Sequence, residues 1–141
     1  MPGIQSLNAR QYYAHKQNAF WRILGEITGF DSQDPYIQRT KKLQAYGIAV
    51  WDVLHTCKRV GSLDSAIEAA TANDFQLFFQ QYSNIERVYF NGAAAERYYR
   101  RYVLAELKSN ALIYLRLPST SPTHASLRYQ EKLTIWQAAL L

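Results

Sequence analysis

Short apolar, β-branched segments that stop at turn or proline signals alternate along this chain with helical apolar patterns. That alternation narrows the fold more than any other feature. Strands joined through helices run parallel in one sheet, with helices covering both faces. Residues 18–28 read as a helix with Phe20, Ile23, Leu24 and Ile27 on one face. Gly29-Phe30-Asp31-Ser32 breaks it, and Asp34-Pro35 opens a second helix, with a capping carboxylate and a proline in the first turn, that ends at Gly47. Ile48-Ala49-Val50-Trp51-Asp52-Val53-Leu54 is apolar and branched enough for a buried strand. Residues 62–70 are expected to form a short helix, and Asn73 to cap another that carries Phe75, Phe78 and Phe79. Arg87-Val88-Tyr89-Phe90 is the next strand, ended by Asn91-Gly92. Residues 93–107 follow as a helix with Arg97, Arg100 and Arg101 on a basic face. Residues 111–117 form a strand stopped by Pro118, and residues 127–140 the last helix.

The expected fold is α/β with a central parallel sheet, in a single domain over residues 1–141, long enough to bury a core without staples. Such a domain normally opens on a central strand, whereas this chain starts Met1-Pro2-Gly3 and enters a loop. The first strand is therefore expected to be missing from this chain, with the natural protein extending upstream. A single cysteine, Cys57, excludes a disulfide framework, a four-cysteine zinc site and a self-contained iron–sulfur cluster; it reads as inert and half-buried. The three histidines are scattered, so neither a metal nor another cofactor is expected. No apolar run approaches the ~20 residues that span a bilayer, and no signal pattern opens the chain. A cytoplasmic, monomeric protein is expected. The net charge of +5 favours polyanionic partners.

In parallel sheets the ligand crevice lies beyond the carboxyl ends of the strands. Asn91-Gly92 and residues 118–125 occupy that position, and Asp52 with a His55-Thr56-Cys57 loop is expected at the same edge. The amide- and aromatic-rich tract that includes Tyr13, His15, Lys16 and Asn18 should close the other side of a nucleobase pocket.

These motifs resemble the hypoxanthine-DNA glycosylase (DNA-deoxyinosine glycosylase) family of the uracil-DNA glycosylase superfamily. Met1-Pro2-Gly3 resembles the end of the family's first motif, whose Gly-Ser and preceding strand are absent. Tyr12-Tyr13-Ala14-His15 with Asn18-Ala19-Phe20-Trp21 resembles its Tyr-Ala-His and Asn-x-Phe-Trp signature. Trp51-Asp52-Val53-Leu54, Gly61-Ser62-Leu63-Asp64, Asn73-Asp74-Phe75, Phe90-Asn91-Gly92 and Pro118-Ser119-Thr120-Ser121-Pro122 follow in the family's order, so the likeness runs through essentially the whole chain. It implies a three-layer αβα fold and excision of a deaminated base, hypoxanthine first, from DNA. It carries catalytic roles to Asn18 and Asn91, base stacking to Tyr13, and contact with the DNA backbone to Ser119, Thr120, Ser121 and Pro122. Leu117 stands where the better-known uracil enzymes carry a histidine, so their leaving-group histidine has no counterpart at that position.

Breaking the base–sugar bond develops oxocarbenium character on the sugar and negative charge on the base. An amide is no general base near neutral pH, but it holds a water and donates hydrogen bonds. Asn18 is assigned to orient the attacking water and Asn91 to hydrogen-bond the hypoxanthine edge, a preorganised donor contributing about 3 kcal/mol at the transition state. By spacing alone Asn18 also reads as a helix N-cap, and Asn91 as a turn residue before Gly92. Tyr13 offers a stacking face or a core ring. His15 reads as a pocket residue or a hydrogen-bonded loop histidine, and Phe20 as a pocket wall or a packing side chain. Gly92 belongs to the pocket edge, while His124 and Lys16 are placed for DNA contact. The arginine cluster at 97, 100 and 101 reads equally as a solvated helix face. Asp52 reads as a strand-end carboxylate rather than a base, and no motif places a lysine nucleophile. Alternatives are a uracil- or xanthine-preferring glycosylase of the same fold, a catalytically impaired damage-binding module, or a protein-interaction domain presenting Phe78 and Phe79.

Overall fold

The computed structural model describes residues 17–58, 69–104, 107, 112–122 and 124–141. In chain order the elements are helices α1 (Phe20–Thr28) and α2 (Tyr36–Ala45), strands β1 (Leu54–Lys58) and β2 (Ala69–Ala72), helix α3 (Phe75–Gln81), strand β3 (Arg87–Asn91), helix α4 (Ala93–Tyr102), strand β4 (Ile113–Leu117) and helix α5 (Tyr129–Leu140). They fall into two compact units, residues 52–119 in one, and the described residues up to Trp51 together with those from Thr120 in the other. The boundary lies inside the 118–122 segment, between Ser119 and Thr120.

In the 52–119 unit, β3 and β4 pair in parallel, from Arg87 opposite Ile113 to Asn91 opposite Leu117. Helix α4 makes the crossover and packs on both strands. This is the α/β arrangement the alternation predicts. Phe75, Phe90, Tyr99 and Val103 form the core, with Val53, Val88 and Tyr114 packed against it. The Tyr99 ring lies 5.1 Å from Phe90 and 5.5 Å from Phe75. Its hydroxyl meets that of Tyr114 at 2.9 Å. Burial, reinforced by that hydrogen bond, holds the Tyr99 phenol far above its ordinary pKa.

Several local expectations are corrected here. The apolar run from Ile48 is not a strand; pairing starts only at Leu54, antiparallel to β2. The Ile48 N–H closes the end of α2 on the Leu43 carbonyl, and Trp51 is 38% exposed, so the run is half-buried connection. His55, Thr56 and Cys57 lie within β1, not in a loop, with Cys57 opposite Ala70. Of the helix expected over 62–70, Ala69 and Ala70 belong to β2, and the rest lies outside the described residues. Pairing with β1 overrides the helix preference of alanine. Asp74, rather than Asn73, caps α3, its Oδ1 accepting from the Leu77 N–H at 3.1 Å. Asn73 instead donates from Nδ2 to the Asp52 carbonyl at 2.7 Å, and its N–H bonds the Val53 carbonyl. Helix α4 ends at Tyr102 rather than 107.

In the other unit α1 packs against α2 and α5. The stripe read from the sequence is the buried one: Ile23 and Leu24 are sealed, and Leu43, Leu133 and Trp136 are buried with them. Trp21 sits edge-on to Phe20 and Tyr36, and the Arg39 guanidinium lies 4.5 Å above its ring. The second helix starts at Tyr36, with Pro35 at the cap position. The Asp34 carboxylate points backward, accepting from the Asp31 N–H at 3.1 Å, while the Asp34 carbonyl takes the Arg39 Nε–H at 2.8 Å. The turn before α2 thus uses the group expected to cap it.

Candidate active site

The end of β3 supplies the site residues of the 52–119 unit. Asn91 is the last residue of the strand and half-buried, opposite Leu117. Gly92 follows as the N-cap of α4 with φ 94° and ψ 171°, a conformation essentially confined to glycine. Its N–H reaches the Leu117 carbonyl at 3.0 Å, extending the β3–β4 ladder by one bond. A Cβ built on Gly92 would lie 3.0 Å from the Ser119 Cβ and 3.5 Å from its Oγ. The missing side chain is thus what lets the two backbones meet. A turn-forming Asn-Gly pair and the Pro-Ser that ends the neighbouring strand become one edge, as placement at the carboxyl ends of parallel strands predicts.

In the other unit, Asn18 stands one residue before the cap position of α1. Its Oδ1 accepts from the Phe20 N–H at 3.0 Å, satisfying one of the orphan amides at the helix start. The capping chemistry read from the sequence is therefore present, although the cap position itself is Ala19. The Ala19 N–H donates to the Thr120 carbonyl at 3.0 Å, tying the start of α1 to the serine–threonine segment. Thr120 is 1% exposed, and Pro122 is exposed. Phe20 is 4% exposed, edge-on to Trp21 and Trp136, so its ring is a packing ring. The Ser121 carbonyl accepts from the His124 N–H at 3.1 Å, and His124 Nε2 lies 3.4 Å from the Ser126 hydroxyl. His124 thereby closes a turn within the loop.

Tyr13, His15 and Lys16 lie outside the described residues. The basic face of α4 is locally engaged. Glu96 takes Arg100 at 3.2 Å and Arg116 at 3.6 Å, and Arg97 and Arg101 lie over the rings of Tyr98 and Tyr102. Among the described residues no group of three His, Cys, Asp or Glu side chains is placed to hold a metal ion, and no helix is long and apolar enough to cross a membrane.

Sequence reading missed one residue beside this segment. Lys132 is 5% exposed in the first turn of α5, and its Nζ donates to the Ser121 carbonyl at 3.3 Å. Burial lowers its pKa from the ordinary lysine value. Its signal was available: Lys132, Leu133 and Trp136 fall on one helical face, so this lysine sits on the buried stripe.

The model of the uracil DNA glycosylase superfamily matches residues 1–140 of this sequence. The chain belongs to that superfamily. Among its superfamily relatives, a hypoxanthine DNA glycosylase from Methanosarcina barkeri is 37% identical over 99 residues, 70% of this chain and 63% of the relative. A hypoxanthine DNA glycosylase from Methanosarcina acetivorans is 34% identical over the same shares. The chain thus spans less than two-thirds of the length of these curated relatives. A solution structure of a candidate uracil DNA glycosylase from Methanosarcina acetivorans superposes with a TM-score of 0.76 at 28% identity, covering 97% of this chain and 84% of that one. This superfamily fold agrees with the α/β class read from the sequence.

Proposed function

We propose that this chain is a monofunctional DNA glycosylase that removes hypoxanthine from deoxyinosine in DNA, acting as one uracil-DNA-glycosylase-like domain over residues 1–141. The C1′–N9 bond breaks with its electron pair leaving on the base. Water oxygen adds to C1′, and a water proton ends on the released hypoxanthine. Asn18 positions the water and Asn91 donates to the base as negative charge develops on it. Tyr13 stacks on the extruded base, with His15 and Gly92 as further pocket residues, while Phe20 packs in the core behind Asn18 rather than touching the base. Ser119, Ser121, Pro122, His124 and Lys16 meet the DNA backbone, while the buried Thr120 ties the segment to the start of α1 through its carbonyl instead of reaching DNA. The name carried by both curated relatives supports hypoxanthine as the lesion.

The observation that carries the reading is the edge at Asn91-Gly92. A family-signature asparagine ends a parallel strand, and the next residue lacks a side chain where Ser119 approaches. Asn18 supports it from its own unit, since its oxygen is committed to the Phe20 N–H and the amide keeps Nδ2 as donor. Replacing each asparagine by alanine is expected to slow single-turnover excision by roughly a hundredfold, in line with removal of one preorganised donor. Rates near wild type for both variants would remove the assignment. Uracil is the second reading, favoured by the likeness to the candidate uracil DNA glycosylase.

A further inference from the structure

Lys132 is held in a position that ordinary stability does not favour. The residue is 5% exposed, and among the described residues its ammonium bonds the Ser121 carbonyl alone, at 3.3 Å. An ammonium has three donors, so one backbone carbonyl leaves its charge unneutralised. The carboxylates of its unit are otherwise placed. Glu131 accepts from the Arg128 N–H at 3.1 Å, Asp31 and Asp34 bond amides of the turn before α2, and Glu26 faces the Tyr129 hydroxyl. None pairs with Lys132 among the described residues, and residues 1–16 contain no Asp or Glu. Its place in the first turn of α5 also sets it against the positive end of the helix dipole.

A cation that is buried, without a carboxylate among the described residues and at the wrong end of a helix suits an anion from outside the protein. What adjoins it is the Ser121 turn, whose carbonyl it holds together with the His124 N–H. We infer that Lys132 is the counter-charge for one DNA phosphodiester seated on the turn at Ser121 and Pro122, and that it orients this turn through the Ser121 carbonyl. The inference rests on the glycosylase reading and adds to it a phosphate-binding residue outside the family-signature motifs. Lys132 acts on DNA binding and on the posture of the loop; it touches no reacting atom in this scheme.

The test measures how the dissociation constant depends on salt, using duplex carrying one 2′-fluoro-deoxyinosine, whose fluorine disfavours the oxocarbenium and so blocks turnover. Wild type is compared with Lys132→Met, which keeps the apolar stem, Lys132→Gln, which keeps a donor for Ser121, and Lys132→Arg, which keeps the charge. Both neutral variants are expected to lose about 0.9 from the slope of log K against log salt, the increment for one phosphate, and about tenfold in affinity at low salt. The Arg variant should keep the slope. A lysine needed only for packing would change the thermal midpoint and leave the slope alone, and that result overturns the inference. Should Lys132→Met fail to fold, Lys132→Gln decides by the same criterion. If wild type itself excises no base from deoxyinosine duplex, the glycosylase reading fails, a result separate from the slope comparison.

Discussion

Substituting Gly92 by alanine tests the edge of the site at its tightest point. Two costs are readable. Placing a Cβ on a backbone at φ 94° and ψ 171° costs about 1–3 kcal/mol. The new atom would also lie 3.0 Å from the Ser119 Cβ, closer than carbon atoms pack, so Ser119 must retreat. Against this, alanine restricts the unfolded chain and returns about 0.4–1 kcal/mol. A net loss of about 1–2 kcal/mol follows, which lowers the thermal midpoint by roughly 3–8 °C. Thermal and urea denaturation followed by circular dichroism read this directly. Gly29 is the control, with the same φ of 94° but nothing within 4 Å of an added Cβ. Its ψ of 32° lies in the ordinary left-handed region, so Gly29→Ala should lose less than Gly92→Ala. In a Ser119→Gly background the Gly92→Ala loss should shrink by about 0.5 kcal/mol or more, because the Cβ–Cβ contact is gone. A Gly92→Ala protein that melts with wild type, or a larger loss at Gly29, would refute the claim that this edge depends on the absent side chain.

Other substitutions separate structure from chemistry. Asn18→Asp keeps the oxygen that accepts from Phe20 but loses the amide donor, so stability should hold while excision falls; Asn18→Ala should lose both, with about 1 kcal/mol of stability, as seen by melting and single-turnover assay. Asp74→Ala removes the α3 cap and should cost about 1 kcal/mol in urea denaturation. Tyr99→Phe removes one side of the 2.9 Å hydroxyl pair and should cost about 1 kcal/mol. Its pH signature has a definite sign. The folded-state pKa of Tyr99 is raised above the unfolded value of 10.0, so the folded state holds the proton longer. That stability is fully present below about pH 10 and is lost as pH rises beyond it, and Tyr99→Phe should flatten the alkaline fall in melting temperature.

The elements legible from sequence are those bounded by strong punctuation. Asn91-Gly92 and Pro118 delimit β3, α4 and β4, and the parallel pairing follows from the helix between the strands. The α1 stripe was equally plain, because Ile23 and Leu24 recur at helical spacing and are sealed. What failed was decided by partners distant in sequence. Ala69 and Ala70 are extended because β1 lies alongside, and no local propensity says so. Asn73 and Asp74 can both cap a helix; the choice fell to Asp74 because Asn73 is drawn to the Asp52 carbonyl. Asp34 looked like a cap and serves the preceding turn. At the site, Asn18 was legible both as motif and as helix-start residue, and its hydrogen bond realises the second role. The bond from the Ala19 N–H to the Thr120 carbonyl joins two backbones and leaves no trace in side-chain identity. Lys132 was overlooked because charge argues for the surface, whereas its spacing with Leu133 and Trp136 argues for the interior.

The identity of the base set free decides most directly whether this chain is a hypoxanthine glycosylase. Duplexes each bearing a single hypoxanthine, uracil or xanthine, incubated with excess protein and followed by mass spectrometry of the small-molecule fraction, would read it without reference to any variant. Free hypoxanthine should appear first and fastest, with an abasic strand in equal amount. Uracil released ahead of hypoxanthine, or no free base from any duplex, would contradict it.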